Sequence, residues 1–85
     1  MRIYLQTPAA PGETLRFYHL ILQRDLLGGW SLTRVWGPQG TSGRSRNEHF
    51  PTVESAQEAL FKARDRQIER GYKVMFVQGA TSAGD

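Results

Sequence analysis

The sequence has no cysteine. That absence excludes disulfides, thiolate zinc sites and cysteine nucleophiles together. It is compatible with a reducing compartment without establishing one. Long hydrophobic runs are missing too, and nothing approaches the roughly 20 apolar residues that a membrane-spanning helix needs. The opening MRIYLQTPAAPG breaks into polar and turn residues before it could form the apolar stretch of a signal peptide, so a cytoplasmic location is expected. Histidine is limited to His19 and His49, far apart in the chain and without paired-ligand spacing to an acidic residue. The carboxylates are scattered. No Gly-x-Ser-x-Gly, Walker loop or dinucleotide fingerprint occurs. Gly37, Gly40 and Gly43 punctuate one loop, but no Lys-Ser/Thr pair and no helix start follow it. No enzymatic activity, no cofactor and no metal site are therefore expected. Lysine is scarce as well: of eleven basic residues only Lys62 and Lys73 are lysines, and the rest are arginines.

What remains is the composition of one small globular domain. Eighty-five residues fit a single domain, expected over 1–77, with residues 78–85, small and polar, as a flexible tail. Hydrophobic residues make up 39% and include two Trp, three Tyr and four Phe, enough bulk for a core. The net charge of +3 speaks to solubility and weak attraction for anions. The arginine bias has two readings. Arginine's planar fork suits phosphates and stacks on bases; a GC-rich genome would give the same bias.

The order of elements is legible. Residues 1–7 alternate Ile3 and Leu5 with Arg2, Tyr4 and Gln6 and read as a strand, ended by Pro8, Pro11 and Gly12. Residues 14–23 are aromatic and branched and read as a second, central strand. Tyr18, Leu20 and Leu22 share one of its faces, and Phe17, His19 and Ile21 the other. Gly28-Gly29 supplies a turn into a third strand over 30–36, with Trp30, Leu32, Arg34 and Trp36 on one face. A polar fourth strand is expected over 44–50, stopped by Pro51. Thr52 is a good N-cap for the helix predicted over 53–70, where Val53, Ala56, Leu60 and Ala63 repeat at helical spacing. Gly71 suits the position after it, and Tyr72 to Val77 read as a last strand. The expected class is α+β: a small, mainly antiparallel sheet of four to five strands with one helix in the C-terminal half. The helix would cover one face of the sheet and leave the other face, or its loops, for a partner.

The informative stretch is Trp30 to Phe50. It brings together two tryptophans, Arg34, Arg44, Arg46 and a glycine-rich turn. Trp36 sits at a strand end beside Gly37. An indole there, flanked by arginines, is either a stacking platform for a nucleotide or sugar or a seal on the end of the core. A small-molecule or nucleotide pocket lined by Trp30 and Trp36 is a weaker option.

The run Arg16-Phe17-Tyr18-His19-Leu20, the segment Trp30 to Gly43 with Trp36-Gly37 and Gly40, then Phe50, Ala56, Leu60 and Gly71-Tyr72 resemble the WGR domain, over about residues 14–74. The resemblance implies a mainly antiparallel sheet with one helix. The family occurs in DNA-dependent poly(ADP-ribose) polymerases, where the Trp and Arg of the Trp-Gly-Arg motif contact DNA near a strand end. It also occurs in short bacterial proteins. By position it implies that Trp36 faces DNA and that Gly37 is the motif glycine. The motif arginine is replaced by Pro38, which has neither a cationic fork nor a backbone N–H. Gln67 stands where the family tends to have lysine. The expectation is a non-enzymatic module binding nucleic acid, most plainly DNA, with Trp36, Gly37, Arg34, Arg44 and Arg46 at the contact and Lys62, Arg64, Arg66 or Arg70 available if the helix lies beside it. For Arg64 the alternative is a pair with neighbouring acids. The rival expectation is a protein-interaction module that has lost DNA binding, using Ile3, Leu5 or the last strand as an exposed edge.

Overall fold

A computed structural model describes residues 1–8 and 10–79. The strands are β1 (Arg2–Gln6), β2 (Arg16–Arg24), β3 (Trp30–Pro38), β4 (Arg44–Phe50) and β5 (Lys73–Gln78). The helix, α1 (Val53–Glu69), lies between β4 and β5 in the chain. The strands form one sheet in the order β4-β3-β2-β1-β5, antiparallel at every neighbouring pair. This is the α+β arrangement expected. Of the expected tail, residues 80–85 lie outside the described residues, whereas Gln78 closes β5.

Local chemistry sets the joints. At the β2–β3 turn the Asp25 carboxylate accepts the N–H groups of Leu27 (2.9 Å) and Gly29 (3.0 Å), so one side chain organises the reversal. Thr52 caps α1: its Oγ1 accepts the Ser55 N–H at 3.1 Å. The other end closes as a Schellman motif, with Tyr72 N–H donating to the Gln67 carbonyl and Gly71 N–H to that of Ile68, both at 3.0 Å. Gly71 has φ +101°, a conformation that strains any residue with a Cβ.

The ladder sets Ile3 against Leu20, Leu5 against Tyr18 and Leu22 against Leu32, so these side chains share one face. α1 lays Ala56, Leu60 and Ala63 on that face and completes the core. The two alanines let the helix approach the sheet closely around Leu60. Full burial of each leucine contributes about 1.5–3 kcal/mol.

Ile3 and Leu5 are exposed only 1% and 0%, which corrects the expectation that they form a free edge. The cause is topological: after α1 the chain returns as β5 and pairs on the outer side of β1. β1 is therefore an interior strand, and β5 takes the edge. The face away from α1 carries an aromatic group, in which Tyr4 stacks on Phe76 at 5.5 Å and on Phe17 at 6.4 Å. His19 meets Tyr4 edge-on at 5.5 Å. Burial, and then the nearby Arg2 charge, hold the His19 imidazole below its ordinary pKa. No helix among the described residues is long and apolar enough to cross a membrane.

Candidate nucleic-acid interface

Cross-strand partners share a face of the sheet. Arg34 stands opposite Leu20 on one side and Arg46 on the other; Trp36 stands opposite Tyr18 and Arg44. The four chemically active side chains expected from sequence therefore fall on one face. That face is the one carrying α1, not the open one. They occupy the part of it where β3 and β4 run out beside the helix.

Trp36 is half-buried. Its indole stacks on Tyr18 at 5.9 Å and 20°, and Tyr18 meets Tyr72 edge-on at 6.0 Å. The ring seals the end of the core, one of the two roles read from the sequence, and stands opposite Arg44 across the β3–β4 ladder.

Arg34 is held in place rather than free. Its Nη2 donates to Glu48 Oε1 at 2.8 Å, while its Nε is buried without an acceptor. Arg44 and Arg46 are exposed on β4 and join no ion pair among the described residues. Across from them, Arg34 and the α1 residues Ala59, Lys62, Ala63 and Arg66 line an open groove of about 220 Å³. That is smaller than the roughly 300–1,000 Å³ of small-molecule pockets. Lys62 lies 3.6 Å from Glu58, an exposed contact one helical turn apart. Arg64 takes its alternative role: it pairs with Asp65 at 2.8 Å and lies over the Phe61 ring at 4.9 Å.

Gly37 and Gly43 work by absence of bulk. A Cβ on Gly43 would sit 2.5 Å from the Trp36 carbonyl oxygen and 2.9 Å from Phe17 Cζ, and φ there is +75°. A Cβ on Gly37 would meet the Gly43 Cα at 3.0 Å. The loop is thus pressed onto the backbone of Trp36. Gly37 is buried, so it shapes the site and presents no surface of its own to a ligand.

Two features were not read from the sequence. Arg16, exposed at the start of β2, is the ladder partner of Pro38, so an arginine stands on the neighbouring strand across from the position where the motif arginine is missing. The strand pairing was legible, but its register was not. Gln67 is buried at 4% exposure, so the second departure from the family lies against the core and removes no surface charge. The Trp30–Trp36 pocket does not exist: six strand residues separate the two rings by about 20 Å, and Trp30 is covered by Arg24, 5.3 Å from its ring.

His49 is exposed and bonds Asp25 at 2.5 Å, which ties β4 to the β2–β3 turn. The Asp25 carboxyl is held below its ordinary pKa, chiefly by the Gly29 N–H. Among the described residues no group of three His, Cys, Asp or Glu side chains is placed to hold a metal ion.

The matches to known proteins agree with this geometry. An uncharacterized protein, y4dW, of Sinorhizobium fredii (strain NBRC 101917 / NGR234) is 28% identical over 72 residues, which cover 85% of this chain and 35% of that protein. The chain therefore spans about a third of the length of this relative. The family model of the WGR domain matches residues 1–76, nearly the full described length. The chain belongs to the WGR domain family.

Proposed function

We propose that this domain is a non-enzymatic nucleic-acid-binding module, that its ligand is DNA, and that it binds with little sequence preference. The observation that carries the reading is that Trp36, Arg34, Arg44 and Arg46 share the helix-side face of the sheet, where Arg34 also lines a groove with Lys62 and Arg66. Arg44 and Arg46 meet phosphates directly, because neither has an acidic partner among the described residues. Trp36 offers the free part of its indole to a terminal base or sugar. Arg34 contributes after exchanging Glu48 for a phosphate oxygen. Phosphate contacts of this kind position a duplex without reading its bases, which accounts for the expected lack of sequence preference.

Titration of labelled duplex and single-stranded DNA at low and moderate salt tests the reading. Saturable binding at low salt is expected, weakened by Trp36→Ala and by Arg44→Ala combined with Arg46→Ala. Absence of saturable binding at low salt sinks the reading. Binding untouched by these variants keeps the function and rejects the site.

One observation favours the rival reading of a protein-interaction module: every residue of β5 is exposed, and four in succession are apolar.

A further inference from the structure

The face of the sheet away from α1 carries three nearly parallel rings on neighbouring strands. Tyr4 on β1 lies between Phe17 on β2, at 6.4 Å and 12°, and Phe76 on β5, at 5.5 Å and 16°. Tyr4 and Phe17 are half-buried. Phe76 ends the row at the edge of the sheet and is 47% exposed. Among the described residues no ring lies beyond it.

Charge on this face is of one sign. Cross-strand pairing and alternation place Arg2, Gln6, Lys73 and Phe76 on the same side as Tyr4. Arg2 and Lys73 are exposed and join no ion pair among the described residues. None of the described strand residues on this face is acidic. Arg2 stands two residues from Tyr4 along β1, and Lys73 pairs with Gln6, two residues the other way. The two cations are thus about 13 Å apart along β1, with the row of rings between them.

Beside Lys73 the surface opens into a hollow of about 330 Å³. That falls within the roughly 300–1,000 Å³ of small-molecule sites. Pro8, Leu15 and Met75 supply its apolar walls, and Gln6 and Thr7 its polar groups. Met75 is the extra residue of a bulge, since Val74 pairs with Leu5 and Phe76 with Tyr4. A bulge re-aims a side chain. Here that side chain lines the hollow.

We propose that this face is a second nucleic-acid site, separate from the Trp36 face, and that it takes single strands. A base stacks on Phe76 as the next ring of the row. The flanking phosphates meet Arg2 and Lys73, and the adjacent base enters the hollow. Single strands are selected because a base offers its faces freely only outside a duplex, where neighbours cover them. Stacking accepts any base, so little sequence preference follows. The two faces lie on opposite sides of the sheet, so a single strand here does not compete with a ligand at Trp36. The site does not depend on the duplex reading.

The test is fluorescence anisotropy of the full chain with a labelled oligothymidylate of about eight nucleotides, inside the roughly 4–16 that single-strand sites span. Saturable binding at low salt is expected. Phe76→Leu keeps apolar bulk and removes the ring. It is expected to weaken oligothymidylate binding about fivefold or more, the lower end of the worth of one base stacked on a ring, and to leave duplex binding unchanged. Phe76→Trp is expected to retain binding. Lys73→Ala is expected to lower the salt slope by about 0.7, one single-strand phosphate. Circular dichroism checks folding, and Lys73→Ala, at an exposed position, carries the test if Phe76→Leu unfolds. Absence of saturable oligothymidylate binding overturns the proposal. So does binding that folded Phe76→Leu leaves unchanged or lowers in step with duplex binding, and so does a salt slope that Lys73→Ala leaves unchanged. Oligothymidylate binding without duplex binding keeps this site and removes the reading of the Trp36 face.

Discussion

Arg16 lies directly across the β2–β3 ladder from Pro38. The residue that removes the motif's positive charge therefore faces one that returns it, from the neighbouring strand and on the face that carries Trp36. Replacing Arg16 by Ala should lower the salt slope of DNA binding by about one, the signature of one lost phosphate contact. Pro38→Arg should raise affinity and steepen the slope. Fluorescence anisotropy across a salt series reads both, and a slope unchanged in Arg16→Ala removes Arg16 from the interface.

Glu48 pairs with Arg34 at 2.8 Å, so on the proposed interface it would compete with phosphate for that guanidinium. Both side chains are partly exposed, so the pair contributes at most about 1 kcal/mol to stability. Glu48→Gln should leave the melting temperature nearly unchanged and strengthen DNA binding by releasing the guanidinium. Weaker binding in this variant would mean that Glu48 orients Arg34 for the contact rather than masking it.

The loop after Trp36 depends on missing side chains. Gly43→Ala meets the Trp36 carbonyl oxygen and requires a left-handed backbone, so a loss of about 1–3 kcal/mol is expected. In a domain of this size each kcal/mol lowers the melting temperature by about 4–8 °C. Gly40→Ala shares the positive φ but meets nothing within 4 Å. Its loss should stay near 1 kcal/mol, from backbone conformation alone. Calorimetry of the two variants separates packing from conformational strain.

The depressed pKa of His19 makes stability depend on pH. Between its folded pKa and the ordinary 6.5 the unfolded chain binds more protons, so stability falls as pH drops below about 6.5. His19→Phe keeps an aromatic ring beside Tyr4 and Phe76 and removes a buried nitrogen without a partner. Melting temperatures at pH 7 and 5.5 should then differ less than in the parent. Asp25 adds a separate loss at lower pH. Its folded pKa lies below the ordinary 3.8, so its contribution is present above that value and disappears as pH falls through the folded one.

Much of the fold was legible because period and punctuation agreed. The alternation in β2 sorted Tyr18, Leu20 and Leu22 onto one face and Phe17, His19 and Ile21 onto the other, and Thr52 and Gly71 marked the ends of α1. The grouping of Trp36 with Arg34, Arg44 and Arg46 followed from the spacing across one hairpin. Strand order was not legible, since nothing local states that β5 returns to β1 and buries Ile3 and Leu5. The side of the sheet on which α1 lies was equally hidden, because both faces of β2 are apolar. Arg16 escaped notice for a related reason: its role depends on register with Pro38, which hairpin geometry sets and composition does not.

The central claim is that exposed cations around Trp36 bind DNA through its phosphates. Its most direct test is the salt dependence of duplex binding by the parent chain and by Arg44→Ala combined with Arg46→Ala. The account predicts a linear fall of log affinity with log salt, and a slope smaller by about 1.8 in the double variant, since each neutralised phosphate contributes about 0.9. Equal slopes, or affinity that does not respond to salt, would contradict it.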